Sequence, residues 1–445
     1  MSERSLWNSR LGFILASAGS AVGLGAIWKF PYMAGTNGGS AFLLPYILFS
    51  VTLGLTLLIA EMCMGRSARA GAVGAYRRWG TKATAWLGHW SVLTGFMVLA
   101  FYSVVGGWCV YYLWEALWGN AVISDPQAMQ AHFDTFATSN WGPVVCHLVF
   151  LLSTAAVILA GVEKGIERAS KWLMPLLFIM MLVLIVRGLT LPGAEQGIEF
   201  LFRFDPSAFT SDALLNALGF SFFSLSVGSA SMMNYGSYLS DKVKVGTSTA
   251  WIVFLAMLAA ILGGLMIMPA VFAFGLNPNA GPGLTFATMP AVFALLPFGE
   301  VFAVIFYLCL FVAAITSSIS ILEMSAQFCI DEFRWSRATA VTVTTTILAV
   351  LGTLSALSFG VLADVKIFGK GFFDLFDYAT SNIGMPIGVL GLAIVAGMQS
   401  WTMTKHQLTY NQEWPTWLLQ FVRFIMVVVA PVVILVIMAQ GFGLF

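Results

Sequence analysis

Long apolar stretches make up most of the chain, and short polar segments separate them. A helix needs about 20 apolar residues to cross the hydrocarbon core of a bilayer, and eleven stretches meet that requirement. They lie near residues 11–35, 41–65, 86–119, 142–160, 168–187, 213–240, 247–274, 298–330, 337–357, 371–397 and 417–440. The pattern predicts an all-α polytopic membrane protein with eleven transmembrane helices.

Helix-breaking residues interrupt two of these stretches. The first contains three glycines, Lys29 and Pro31 within the segment that begins at Gly19. The sixth is interrupted between Phe222 and Ser231, where serines and a glycine replace apolar residues. Open backbone at membrane depth is tolerated only where its polar groups line a cavity or hold a ligand. The two breaks therefore predict a binding site near the middle of the membrane.

The two broken helices are five helices apart, a spacing typical of an inverted repeat. We predict a single transporter domain over residues 1–445, with one repeat at about 11–187, a second at about 213–397 and an extra helix at about 417–440. In such folds, half-helix N-termini face anions and freed carbonyls face cations. A zwitterion and a small cation would suit one site. Close helix packing by small residues is the simpler explanation of either break, but it explains two matching breaks less well.

The composition agrees with a membrane protein and excludes a nucleic-acid-binding one. Hydrophobic residues make up 59% of the chain and charged residues 9%, against about 25% charged residues in soluble domains. The net charge of +1 lacks the excess of Lys and Arg that a phosphate-binding surface needs. The five cysteines lie in apolar runs without C-x-x-C spacing, so we interpret them as core residues.

The basic residues predict the orientation. With the N-terminus inside, fifteen Lys and Arg residues fall on the cytoplasmic side, and only Arg187, Arg203, Lys366 and Lys370 fall outside. Cytoplasmic loops of membrane proteins carry such an excess. We expect a multi-pass protein of the cell inner (plasma) membrane, with the N-terminus in the cytoplasm and Phe445 outside.

The sequence does not favour an enzyme. A serine nucleophile needs a base within reach. The four histidines lie near predicted helix ends or in loops, and none is close in sequence to the membrane-embedded Ser226 or Ser317.

Several motifs in a characteristic order resemble the neurotransmitter:sodium symporter family. They are Arg10-Leu11-Gly12-Phe13-Ile14-Leu15-Ala16, Ala21-Val22-Gly23-Leu24-Gly25, Phe30-Pro31-Tyr32, Asn37-Gly38-Gly39-Ser40-Ala41-Phe42, Met64-Gly65-Arg66, Phe101-Tyr102-Ser103, Ser224-Leu225-Ser226, Thr316-Ser317-Ser318 and Asp377-Tyr378. The resemblance spans almost the whole chain, and eleven helices match the bacterial branch of the family. It implies a secondary active symporter that uses sodium to import a neutral amino acid by alternating access. A sodium-coupled carrier of an amine or other small organic solute, a substrate-gated channel and a sensor are the alternatives.

The resemblance implies one complete sodium site between the first and eighth helices. Its ligands would be backbone carbonyls of Gly19, Val22 and Ala313 and the hydroxyls of Thr316 and Ser317. Thr316 and Ser317 follow Ala313 by three and four residues, which places all three on one helical face.

A second sodium site of the family is incomplete in this chain. Ala26 and Leu255 stand where the family has two asparagines, Ala259 at the neighbouring chloride or acidic position, and Phe220 where a glutamine is expected. A cation that leaves water needs protein oxygen atoms as ligands in place of its hydration shell, and at this site the side-chain oxygens of the two asparagines are missing. We expect coupling to one sodium ion and no chloride requirement.

The resemblance also implies the substrate contacts. The carboxylate would meet the backbone N–H groups of Leu24 and Gly25 and the Tyr102 hydroxyl, and the amine would meet carbonyls of Ala21, Phe223 and Ser224. The side chain, which we expect to be hydrophobic or aromatic, would lie among Val98, Phe223, Ser226, Ser229, Ser317 and Ile321. Ser229 replaces a residue that is usually bulky, so the pocket is expected to be larger or more polar on that side.

Two gates follow from the same resemblance. Lys29 and Asp377 match an outer gate with Phe223 as its lid, and Arg4, Trp7, Tyr238 and Asp331 match an inner gate. Lysine lacks the rigid bidentate fork of the more common arginine, so the outer pair is expected to be loose. Two carboxylates within the spans, Glu61 and Glu323, are expected to hold the broken backbone in place.

Overall fold

The computed structural model describes residues 6–279 and 284–441, and its architecture is a bundle of membrane-spanning helices. The spans are α1 (Arg10–Thr36), α2 (Ser40–Ala68), α3 (Leu87–Leu117), α4 (Gly142–Leu159), α5 (Val162–Leu189), the two halves of the sixth, α6a (Ser211–Ser224) and α6b (Ser231–Ser237), then α7 (Val245–Ala273), α8 (Gly299–Phe333), α9 (Arg337–Leu357), α10 (Phe372–Gln399) and α11 (Thr416–Gly441). Ten are long and apolar enough to cross a bilayer, and the split sixth span completes the predicted eleven.

Both predicted breaks are present. In α1, Gly23 leaves the helical conformation with φ −1° and ψ −168°. The linker between α6a and α6b contains three residues of positive φ: Ser226 at 54°, Gly228 at 87° and Ala230 at 65°. Serine and alanine rarely adopt this conformation, so the surrounding structure must hold the linker open.

The broken helices lie at the centre of the bundle, where small residues allow close approach. A Cβ atom at Gly65 of α2 would overlap the carbonyl of Met233 in α6b, and one at Gly263 of α7 would overlap the carbonyl of Ala26 in α1. Every residue of α1 from Ala16 to Ile27 is buried. Close packing of this kind is typical of helices in membranes, and it brings the two breaks together.

Shorter helices connect the spans at both ends of the bundle. They include Ala72–Trp79, Pro126–Thr138, Ala194–Phe202, Met289–Ala294 and Trp401–Thr409. The five cysteines are free, and all but the half-buried Cys146 are buried in the core, as expected.

Candidate substrate and ion site

A central cavity lies where the breaks of α1 and α6 meet α3, α8 and α10. It is lined by Ser20, Ala21, Gly23, Gly25, Val98, Tyr102, Phe223, Ser224, Ser226, Ser229, Ser317, Ile321 and Met385. Ten of the eleven residues predicted to contact substrate are among them. The eleventh, Leu24, lines the adjoining vestibule. The structure therefore gathers the predicted contacts around one space, although their role in binding stays a prediction.

The α1 break presents backbone N–H groups to this cavity. The Leu24 N–H donates a hydrogen bond to the Tyr102 hydroxyl oxygen at 3.2 Å. A Cβ atom at Gly23 would overlap the Ser317 hydroxyl, so only glycine fits between α1 and α8 at this point. Tyr102 and the start of the second half of α1 thus form a group of hydrogen-bond donors suited to an anion.

Oxygen atoms of α1 and α8 cluster on the other side of the same break. The Ser317 hydroxyl donates to the carbonyls of Gly19 at 3.2 Å and Ser20 at 2.8 Å. The Thr316 hydroxyl donates to the Ala313 carbonyl at 3.0 Å. Val22 is buried within the same stretch of α1. Neutral carbonyl and hydroxyl oxygens without a carboxylate are a donor set that fits a small hard cation.

The linker between α6a and α6b is held by buried polar contacts. The Glu61 carboxylate on α2 accepts a hydrogen bond from the Gly228 N–H at 2.7 Å, as expected from the sequence. The Ser226 hydroxyl donates to the Ser20 carbonyl at 3.3 Å and joins the two breaks. The Ser229 hydroxyl donates to the Ser226 carbonyl at 2.9 Å.

A vestibule of about 470 Å³ adjoins the central cavity. The ring of Phe223 lines both spaces, in the place predicted for a lid. Lys29 and Asp377 line the vestibule but form no ion pair with each other. The Lys29 ammonium lies 4.1 Å from the Phe223 ring centroid, and the Asp377 carboxylate accepts a hydrogen bond from Ser381 at 3.0 Å. The two predicted gate residues therefore have different partners in the structure.

The opposite end is packed shut around Trp7. The Trp7 ring N–H donates to the Tyr235 carbonyl at 3.0 Å, and its backbone N–H donates to the Tyr238 carbonyl at 3.1 Å. Asp331 accepts a hydrogen bond from the Gly71 N–H at 2.9 Å. Arg4, the fourth predicted member of this gate, lies outside the described residues. The other three lie at the same end of the bundle, although their role as a gate stays a prediction.

Glu323 differs from the expectation that it supports broken backbone. It forms a bidentate ion pair with Arg337 at 2.8 Å for each contact, and it accepts a hydrogen bond from the Tyr238 hydroxyl at 2.7 Å. These contacts join α8 to the start of α9 and to the closed gate. Of the two carboxylates, only Glu61 contacts the linker.

The comparison with protein families identifies the chain. The model of the sodium:neurotransmitter symporter family matches residues 4–124 and 122–444. The chain belongs to this family. It is therefore a sodium-dependent transporter of the membrane and not an enzyme, as predicted.

Individual relatives agree with this assignment. The symporter is 40% identical over 389 residues to the uncharacterized sodium-dependent transporter YhdH of Bacillus subtilis, covering 87% of this chain and 86% of the relative. It is 34% identical over 450 residues to an uncharacterized sodium-dependent transporter of Haemophilus influenzae, covering 98% and 97%. Among solved structures, MhsT in complex with L-phenylalanine matches with a TM-score of 0.91 and 36% identity, covering 99% of this chain and 100% of that one.

In this symporter, the positions expected for a second ion are apolar and tightly packed. Phe220 stacks into a buried aromatic cluster, with ring centroids 5.9 Å from Phe30, 5.6 Å from Phe42 and 5.1 Å from Tyr46. Ala26 and Ala259 are buried, and Leu255 is half-buried. The cluster is mostly aromatic carbon, and its side-chain oxygen, the Tyr46 hydroxyl, lies 3.4 Å from the Ser224 hydroxyl.

Sequence reasoning missed three residues of the symporter's central cavity. Ser20 lies within the α1 break, and its carbonyl accepts hydrogen bonds from both Ser317 and Ser226. Its side chain lies 2.5 Å from the Ser320 hydroxyl of α8. Gly23 is the residue at which the helix opens, and Met385 of α10 completes the wall. The run of small residues in α1 was the available signal for Ser20 and Gly23, whereas nothing in the sequence marked Met385.

Proposed function

We propose that this symporter imports a neutral amino acid together with sodium. The observation that carries the proposal is the character of the central cavity. It combines the backbone of two broken helices with hydroxyl groups, and no charged side chain occurs among its described lining residues. A site of this kind favours a ligand whose two opposite charges are each met by backbone dipoles.

The arrangement supports a zwitterion in one orientation. The carboxylate would accept hydrogen bonds from the N–H groups of Leu24 and Gly25 and from the Tyr102 hydroxyl. In the structure, Leu24 N–H and Tyr102 contact each other, so a carboxylate placed between them would replace their mutual hydrogen bond. The ammonium group would face carbonyls of Ala21, Phe223 and Ser224, which lie at the two breaks.

The cavity gives less support to an amine without a carboxylate. A buried cation needs a counter-charge or several oxygen ligands, and the cavity offers no carboxylate. A channel is also less well supported, because Trp7 and its partners close one end of the path while the other is open. An open and a closed end are features of alternating access.

The side chain of the substrate is proposed to be hydrophobic or aromatic. Val98, Ile321, Met385 and Phe223 supply apolar surface. The similarity to MhsT, whose solved complex contains L-phenylalanine, supports the same class of substrate.

The coupled sodium ion is proposed to bind among Gly19, Val22, Ala313, Thr316 and Ser317. The convergence of α1 and α8 oxygens around Ser317 supports this position. We further propose one sodium ion per cycle and no chloride requirement, since an aromatic cluster occupies the region of the second site.

The transport cycle is proposed to use the two repeats, residues 11–187 and 213–397. Basic residues concentrated at the closed, Trp7 end favour a cytoplasmic N-terminus, which makes the vestibule the extracellular entrance. The described structure then corresponds to an outward-facing state, and closure of Lys29 and Asp377 over Phe223 would precede opening at Trp7.

A binding screen tests the proposal directly. Purified protein would be exposed to each common amino acid and to biogenic amines, in sodium and in potassium buffers of equal ionic strength. We expect one or more neutral amino acids to bind only in sodium. Binding of amines alone, or binding that does not depend on sodium, would contradict the proposal.

A further inference from the structure

Five serines line the central cavity, and the hydroxyls of four of them donate their hydrogen to carbonyl groups of the protein, whereas Ser20 shares a hydrogen bond with the Ser320 hydroxyl. Ser317 donates to carbonyls of α1, and Ser224 donates to the Ser221 carbonyl at 3.2 Å. Ser226 donates to Ser20 and Ser229 to Ser226. A hydroxyl has one hydrogen and two lone pairs. These four groups therefore offer lone pairs, and not hydrogens, to a ligand in the cavity.

Ser226 and Ser229 place such acceptors beside the proposed side-chain pocket. Ser229 is held firmly, because a Cβ atom at Gly95 of α3 would overlap its carbonyl oxygen. Ser226 is fixed by its positive φ of 54° and by its contact with Ser20. Val98, Ile321 and Met385 add apolar side chains to the lining of the same cavity. The pocket thus combines apolar surface with hydroxyl oxygens that accept hydrogen bonds.

We infer that Ser226 and Ser229 make the symporter select neutral amino acids whose side chain carries a hydrogen-bond donor, such as a hydroxyl or an indole N–H. This inference rests on the proposed function, since it concerns the side-chain part of the same site. A purely apolar side chain leaves both oxygens without a ligand partner. An ionised carboxylate meets lone pairs and is disfavoured. A donor satisfies them at no cost to the protein's own hydrogen bonds.

Isosteric pairs of amino acids separate this effect from size. L-Threonine and L-valine differ by a hydroxyl in place of a methyl group, and L-tyrosine and L-phenylalanine by one hydroxyl. Dissociation constants for all four would be measured by calorimetry on the purified full-length protein in sodium. In at least one pair, we expect the donor-bearing member to bind about fivefold more tightly, the effect of one net hydrogen bond.

Variants identify the responsible oxygen atoms. In Ser229→Ala the affinity ratio within that pair should fall to about 1, and Ser226→Ala provides a second test should the first variant fail to fold. Ser221→Ala is the matched control, because Ser221 is a buried serine of α6a that, like Ser226 and Ser229, donates to a backbone carbonyl (that of Leu218) but does not line the cavity. The control should keep the wild-type ratio.

The outcomes separate this inference from the proposed function. Tighter binding of valine and phenylalanine than of their partners overturns the inference while leaving amino acid transport intact. So does a ratio that persists unchanged in both Ser229→Ala and Ser226→Ala. Absence of sodium-dependent binding for all four amino acids would overturn the proposed function and the inference with it.

Discussion

The tyrosine hydroxyl groups of α3 differ in their surroundings, as Tyr102 and Tyr112 show. Tyr102 accepts from the Leu24 N–H and has the Ser317 hydroxyl as a second hydrogen-bonding neighbour, so it lies where a carboxylate is proposed to bind. Tyr112 lies on the same helix and is equally buried, but its ring stacks on Tyr307 at 5.0 Å, away from the cavity. Two tyrosines of one helix therefore differ in their expected contribution to binding.

Tyr102→Phe should weaken amino acid binding. Loss of one hydrogen bond to a charged carboxylate corresponds to about 1.5–3 kcal/mol, or roughly tenfold to a hundredfold in the dissociation constant. Equilibrium binding of the best amino acid from the screen measures this. Tyr112→Phe is the control and should bind like the wild type. Equal affinity in Tyr102→Phe and Tyr112→Phe would remove Tyr102 from the carboxylate site.

The sodium site makes a separate prediction at Thr316 and Ser317. Replacing both with alanine removes two oxygen ligands of a buried cation, so sodium-dependent binding should be abolished. Ser325→Ala, on the same helix, is a suitable control because Ser325 donates only to the Ile321 carbonyl. Sodium affinity would be obtained by titrating sodium at fixed amino acid. An unchanged midpoint in the double variant would contradict the assignment.

The role of a residue was predictable from the sequence where it depends on neighbouring residues in the chain, and was not predictable where it depends on a contact between helices. The break in α1 follows from glycine and proline in the sequence itself, and so it was found. The ion pair of Glu323 and Arg337 was missed because it depends on a tight turn between α8 and α9, where Arg334 adopts a positive φ of 60°. In sequence, Arg337 is indistinguishable from an exposed cytoplasmic arginine.

Among the structural elements, the linker of the sixth span is the one most dependent on outside support. Its three residues of positive φ depart from helical geometry. Glu61 of α2 provides a buried acceptor for the Gly228 N–H. A Cβ atom at Gly228 would also overlap the Met385 carbonyl of α10. The shape of the substrate cavity therefore depends on two helices that are not themselves broken.

Glu61→Ala should destabilise the symporter because the Gly228 N–H would remain buried without an acceptor. Such a loss is worth about 1–3 kcal/mol, and it should lower the unfolding temperature in detergent by at least about 2 °C. Glu61→Gln keeps an oxygen acceptor and should lie closer to the wild type. If Glu61→Ala unfolds at the wild-type temperature, the carboxylate does not support the linker.

The separated pair on α1 and α10 predicts a kinetic effect. Lys29 and Asp377 do not meet while the vestibule is open, so their attraction would contribute only when the site closes. Asp377→Asn should therefore slow uptake into proteoliposomes more than it weakens equilibrium binding. Asp374→Asn, which changes a neighbouring carboxylate of the same vestibule, is the control. Identical uptake rates in wild type and Asp377→Asn would reduce the pair to a contact without a gating role.

Across the whole molecule, the described structure combines a vestibule, a packed region around Trp7 and a central cavity between two broken helices. The number of spans and the position of the breaks were predictable, because the bilayer imposes a length and a polarity on every segment. The separation of Lys29 from Asp377 and the packing around Trp7 were not predictable, because they depend on how closely the helix ends approach one another.

The number of coupled ions is the prediction that involves the molecule as a whole. With Ala26 and Leu255 in place of asparagines, and with Phe220 packed against Phe30, Phe42 and Tyr46, a second cation would lose two side-chain oxygen ligands. The carboxylate of the substrate then has only N–H groups and Tyr102 as partners. Sodium should promote amino acid binding with a Hill coefficient of about 1, the value for one coupled site. Replacing chloride with gluconate should change neither affinity nor uptake. A Hill coefficient approaching two, or an ion located beside Ala26 in an experimental structure, would overturn single-ion coupling.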